Sequence, residues 1–166
     1  MHAKSSKYIK QLGLKKHPEG GYFREVYRSG EIILPKHLPG RYKSSRNFST
    51  SIYFLLEGKQ FSSFHFLQSD EIWHFYDGCP VIFYIIDKKG NLTLQKLGRE
   101  NNSNFQLTIK KQNWFAAELS DKKSFALFGC TVSPGFEFDD FKLGNRELLK
   151  RKFPQHGSLI NKLTST

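Results

Sequence analysis

Residues 58–78 read GKQFSSFHFLQSDEIWHFYDG. The pattern predicts two β-strands joined by the polar loop Gln68-Ser69-Asp70, the first over residues 60–67 and the second opening at Glu71. Side chains two apart on a strand share a face. Strict alternation therefore places Phe61, Ser63, His65 and Leu67 on one face of the first strand, with Phe64 and Phe66 on the other. On the second strand Glu71, Trp73 and Phe75 share a face and His74 points away. An imidazole and a carboxylate can then converge from neighbouring strands inside a barrel.

Four segments, the second of them inside residues 58–78, follow one another along the chain: HPEGGYF at 17–23, DEIWH at 70–74, WFAA at 114–117 and VSPGFEFDDF at 132–141. Together with residues 58–78 they resemble an uncharacterised cupin family, a domain of unknown function, over about residues 12–163. The first cupin motif, G-x5-H-x-H-x3,4-E-x6-G, is similar to the run Gly58, His65, Leu67, Glu71, Gly78, with one extra residue after the first glycine and Leu67 where the second histidine stands. Anchoring the second motif, G-x5-P-x-G-x2-H-x3-N, on residues 114–116 puts Asn104, Lys110, Gln112, Phe115 and Leu119 at its positions. The resemblance implies an all-β fold, the double-stranded β-helix or jelly-roll barrel, with short helices at both termini. It also implies a homodimer formed by joining sheets, which would cover strand edges.

The 166 residues suit one domain, residues 1–166, with the barrel over about 20–142. A 38% hydrophobic content that includes 16 Phe supports a packed core and argues against disorder. The net charge of +11 is spread along the chain in short groups rather than one run. No specific nucleic-acid partner is expected; an anionic or sugar-like small molecule is. Cys79 and Cys130 make neither a disulfide framework nor a zinc motif. Residues 1–10 lack the apolar run of a signal peptide, and the apolar run 80–86 is one strand long, so a cytoplasmic protein with no membrane partner is expected.

A helix is expected over residues 5–12, capped by Ser5 or Ser6, and a strand over 22–28 with Tyr22, Arg24, Val26 and Arg28 opposite Phe23, Glu25 and Tyr27. Residues 29–47 have the length of a functional loop or lid. Strands are expected at 48–57, 80–87, 91–97, 105–111, 114–119, 124–132 and 136–138, and helices at 145–152 and 158–163.

A cupin metal site takes three His and one Glu, and here Leu67 and Phe115 stand at two of those places. No metal and no other cofactor is therefore expected. His65 instead suits a metal-free acid/base, with Glu71 orienting it. Some metal-free cupins are sugar-nucleotide epimerases with a His base, which the resemblance implies as one activity class: an isomerase or epimerase on a sugar or nucleotide-linked sugar. A non-catalytic small-molecule binding or sensing module is the other reading. A third is that His65 and Glu71 only hydrogen-bond each other within the packed barrel. Expected ligand contacts are Glu19, Tyr22, Phe61, Ser63, Trp73 and Phe115, with His17 structural.

Overall fold

The computed structural model describes residues 2–165. Helix α1 (Ala3–Gln11) leads into β1 (Lys15–Lys16), β2 (Tyr22–Arg28), the short pair β3 (Ile32–Ile33) and β4 (Arg46–Asn47), then β5 (Thr50–Glu57) and β6 (Phe61–Phe66). Strands β7 (Asp70–Gly78), β8 (Val81–Ile86), β9 (Leu92–Leu97), β10 (Gln106–Ile109), β11 (Trp114–Leu119), β12 (Phe125–Ser133) and β13 (Lys142–Leu143) follow. Helices α2 (Arg146–Lys152) and α3 (Gly157–Lys162) close the described chain.

The strands form two antiparallel sheets, β1-β2-β5-β12-β7-β10 and β13-β6-β11-β8-β9. Alternation decides what lies between them. Leu56 and Phe54 of β5, Trp73 and Phe75 of β7, Phe83 of β8, Phe115 of β11 and Phe128 of β12 form the inner core. Burying each such side chain contributes about 1.5–3 kcal/mol.

The helices cover the outer faces. Tyr8, Ile9 and Leu12 at α1 pack with Leu55, Phe125 and Leu127 behind the six-stranded sheet. Leu149, Phe153, Ile160 and Leu163 cover Phe64, Ile86, Trp114 and Ala116 behind the five-stranded one. The cap of α1 is His2, whose Nδ1 accepts from Lys4 N–H; Ser5 is buried and donates to Glu57 instead. Asn145 caps α2 by accepting from Leu148 N–H.

Two expectations change. Residues 136–138 are not a strand: a 3-10 turn covers Phe138–Asp140, because backbone amides here are satisfied by Thr50 Oγ1 and Glu137 O rather than by a neighbouring strand. Residues 29–47 are not a lid over the barrel: β3 and β4 pair with each other, and none of these residues lines the cavity.

Candidate functional site

Two β-bulges decide which side chains enter the barrel. Along β6 and β11, Phe115 lies opposite His65 but Ala117 lies opposite Ser62, so β6 carries one extra residue. Ser62 and His65 therefore face inward together, and Ser63 is the residue turned out of register. Along β2 and β5, Glu25 lies opposite Ile52 and Tyr27 opposite Ser51, which leaves Val26 as the extra residue. Phe23, Glu25 and Arg28 then all face the barrel beside Phe54, Ile52 and Thr50.

These residues enclose a cavity of about 90 Å³ at one end of the barrel. Its walls are apolar, with Phe23, Ile52, Phe54, Leu67, Val132 and Phe141. The polar groups at its inner end are His17, Glu19, His65 and Glu71, next to Trp73 and Cys130. His65 Nδ1 lies 2.7 Å from Ser63 O and must donate to it, so Nε2 carries the lone pair. That Nε2 lies 3.2 Å from Glu19 Oε2, while Glu19 Oε1 accepts from Ser62 Oγ at 2.8 Å. Burial pushes the Glu19 carboxyl well above its ordinary range, helped by the charge of Glu71, and pushes His65 down to about 3. Both groups are thus neutral, in contact at 3.2 Å without the alignment of a hydrogen bond.

Glu71 accepts from Trp73 Nε1 at 2.9 Å. Burial raises its pKa to about 7 against the opposing effect of that bond. His17 Nδ1 accepts from Glu19 N–H at 3.3 Å, which puts the ring proton on Nε2, and burial lowers its pKa to about 4. The Cys130 thiol is pushed up by burial and by both carboxyls, so it offers no thiolate at neutral pH.

At the mouth, Arg28 holds Glu25 through Nε and Nη2 at 3.0 and 2.9 Å, and Glu137 through Nη1 at 2.6 Å. Glu137 belongs to the segment carrying Phe136, Phe138 and Phe141, all of which border the cavity. A buried ion pair anchors the end of that segment: Arg46 Nε and Nη2 bind Asp140 Oδ2 and Oδ1 at 2.6 and 2.7 Å.

His65, Glu71, Glu19 and Trp73 come together at the cavity. The carboxyl within reach of His65 is Glu19 rather than Glu71. Tyr22 packs outside, against the α1 core, and Phe61 packs outside against the core under α2 and α3. Ser63 is turned away by the bulge and its Oγ lies 2.7 Å from Ser165 Oγ. Phe115 is inside the barrel but packs against His65 with the rings tilted, 4.0 Å between centroids, and it does not border the cavity. His74 is also outside the cavity, 3.4 Å from Thr131 Oγ1. Glu25, Arg28 and Glu137, which strand reasoning does not single out, also border the cavity, as does His17, expected to be structural. His17 and Glu137 lie in the HPEGGYF and VSPGFEFDDF segments, which were the available signal; Glu25 and Arg28 were concealed by the bulge.

Residues 6–144 match the family described as Cupin superfamily (DUF985). The chain belongs to this cupin family. A protein from Shewanella oneidensis is similar over 97% of both chains, with 37% identity and a TM-score of 0.87. A hypothetical protein from Leishmania major is similar at 28% identity and a TM-score of 0.86, over 98% of this chain and 99% of that one. Oxalate decarboxylase from Bacillus subtilis, at 15% identity and a TM-score of 0.55 over 89% of this chain and 36% of that one, shares the fold. No curated protein matches.

The donor set of this cupin does not fit the metal its fold commonly holds. Leu67 and Phe115 carry no lone pair at two of the places where a ligand would stand, and Glu71 is engaged by Trp73. Among the described residues no three His, Cys, Asp or Glu side chains are arranged to hold a metal ion.

Proposed function

We propose that the cavity of this cupin is a metal-independent proton-transfer site acting on a small, sugar-like molecule, the chemistry of an isomerase or epimerase. What supports this is one observation: two buried acid/base systems, the Glu19–His65 pair and Glu71, border the same apolar cavity. Isomerisation at carbon removes a proton at one position and delivers one at another, which needs groups of different proton affinity in a low-dielectric site. Glu71, near 7, is poised to accept or give a proton at neutral pH. His65, held neutral with Nε2 unprotonated, is the base on the other side, with Glu19 as its orienter and proton store.

Size restricts the substrate. A volume of 90 Å³ equals about three water volumes, well below the roughly 300–1,000 Å³ of pockets that enclose a drug-sized ligand. Only the reacting end of a substrate fits inside. A nucleotide-linked sugar would keep its nucleotide beyond the mouth. The same small volume favours a second reading, a module that binds such a molecule and does not turn it over.

The test is solvent exchange. The protein is incubated in deuterated water with aldoses and ketoses of three to six carbons and their phosphates, and deuterium entering the carbon next to the carbonyl is followed by proton NMR. Exchange by the native protein, lost in His65→Gln and in Glu71→Gln, is the expected result. Binding without exchange supports the sensing module, and no binding by any compound ends both readings.

A further inference from the structure

We propose that Arg28 is an anion subsite at the mouth of the cavity, that Glu137 is its internal occupant, and that the ligand carries a carboxylate or phosphate that displaces Glu137. The proposal rests on the reading that the cavity takes a ligand, and it extends that reading by naming the charged end of the molecule.

The bulge at Val26 is what aims Arg28 into the mouth. A guanidinium has five N–H groups in a planar fork that matches carboxylate and phosphate geometry. Here Nε and Nη2 meet the two oxygens of Glu25 side by side. The outer N–H groups go to Glu137 Oε1 at 2.6 Å, Asn47 Oδ1 at 2.9 Å and Phe136 O at 3.2 Å. Two carboxylates on one guanidinium leave a net negative charge at the mouth, so an incoming anion is repelled unless one of them leaves.

The two differ in how firmly they are held. Glu25 binds through both oxygens from the same strand as Arg28. Glu137 binds through one oxygen and its carboxylate has no other partner among the described residues, while the two side chains are about equally exposed, at 38% and 42%. The backbone on either side is fixed: Gly135 N–H donates to Asn47 O, Phe136 N–H to Thr50 Oγ1, and Asp140 is locked to Arg46. Release of Glu137 therefore needs a side-chain swing into water and no loop refolding. A ligand anion taking its place keeps the charge balance on Arg28. The other end of such a ligand then reaches inward between the aromatic walls toward His17, His65 and Glu71.

Nitrogen-15-labelled protein is titrated, at constant ionic strength, with sodium acetate, with inorganic phosphate and with neutral acetamide, following the Arg28 Nε–H resonance. Acetate or phosphate should shift it and acetamide should not; whichever anion binds more tightly identifies the charged group. Glu137→Gln should tighten anion binding by about tenfold or more, because the internal competitor loses its charge. Arg28→Met should abolish it, and if that variant fails to fold, Glu137→Gln carries the test alone. No shift with either anion, equal affinity in Glu137→Gln, or an equal response to acetamide overturns the proposal. Anion binding without deuterium exchange leaves the subsite standing while the catalytic reading falls, so the two failures are separable.

Discussion

His65 Nε2 lies 3.2 Å from Glu19 Oε2, and the two residues reach each other from different segments of one sheet-lined cavity. Nδ1 is committed to Ser63 O and burial keeps Glu19 protonated, so a neutral carboxyl sits against the bare Nε2. Glu19→Gln keeps a donor facing His65 and an acceptor facing Ser62, so its stability should stay within about 1 kcal/mol of the native protein. Glu19→Leu leaves the Ser62 hydroxyl buried without its acceptor and should cost about 1–3 kcal/mol. Urea denaturation decides; equal midpoints for Glu19→Leu and the native protein would show that the pair contributes nothing to the fold.

Glu71 makes stability depend on pH. Its folded pKa is about 7 against an ordinary 4.5. Below pH 4.5 both folded and unfolded chains hold the proton. Between 4.5 and 7 only the folded chain does, so this proton's stabilising contribution is lost as pH rises through that window, up to roughly 3 kcal/mol in all. His65 and His17, lowered to about 3 and 4, act with the opposite sign and cost stability as pH falls below their ordinary value of 6.5. Comparison with Glu71→Gln isolates the carboxyl: the variant should gain stability relative to the native protein as pH rises from 4.5 to 7. The Trp73 indole N–H resonance should titrate near pH 7 in the native protein and stay flat in the variant. A flat native indole resonance would refute the assignment.

Arg46 and Asp140 are both buried and joined by two charge-assisted bonds. Arg46→Met strands the Asp140 carboxylate and should cost about 3–5 kcal/mol, whereas Arg46→Met combined with Asp140→Leu should recover much of that loss. If the double variant is as unstable as the single one, the ion pair matters for shape rather than for charge.

The fold was legible because alternation runs true on most strands. The strand expected at 114–119 matches β11 to the residue, and the longer strands of the two sheets lie within a few residues of their expected ends, whereas the two-residue edge strands β1 and β13 are too short to show a period. The site was legible only in part. Parity counting requires one residue per pleat, and β2 and β6 each carry one extra residue where the cavity is built. Parity therefore places Phe61 and Ser63 inside and passes over Ser62, Glu25 and Arg28, while Tyr22 is expected at the pocket only through the family segment that carries it. Glu19 and His17 come from a turn, where no periodicity exists to orient a side chain.

That turn gives the last prediction. Glu19 reaches His65 because the backbone at 17–21 folds tightly against β6: His17 N–H donates to Gly21 O, Gly20 N–H to His17 O, and Ser63 N–H to Glu19 O at 2.7 Å. Gly20 has φ +115°, and a Cβ there would sit 2.1 Å from Phe61 O, a backbone atom that β6 cannot move without losing its pairing. Gly20→Ala is therefore both strained in conformation and blocked in space, and should destabilise by about 2 kcal/mol or more. It should also lift Glu19 away from His65. Gly30, with open space around it and an ordinary φ, is the matched control, and Gly30→Ala should stay within about 0.5 kcal/mol of the native protein. The measurement is urea denaturation of both variants, with the nitrogen-15 shifts of the His65 ring reporting whether Glu19 still sits beside Nε2. Equal stability in the two variants, with an unchanged His65 ring, would show that the turn does not set the position of Glu19.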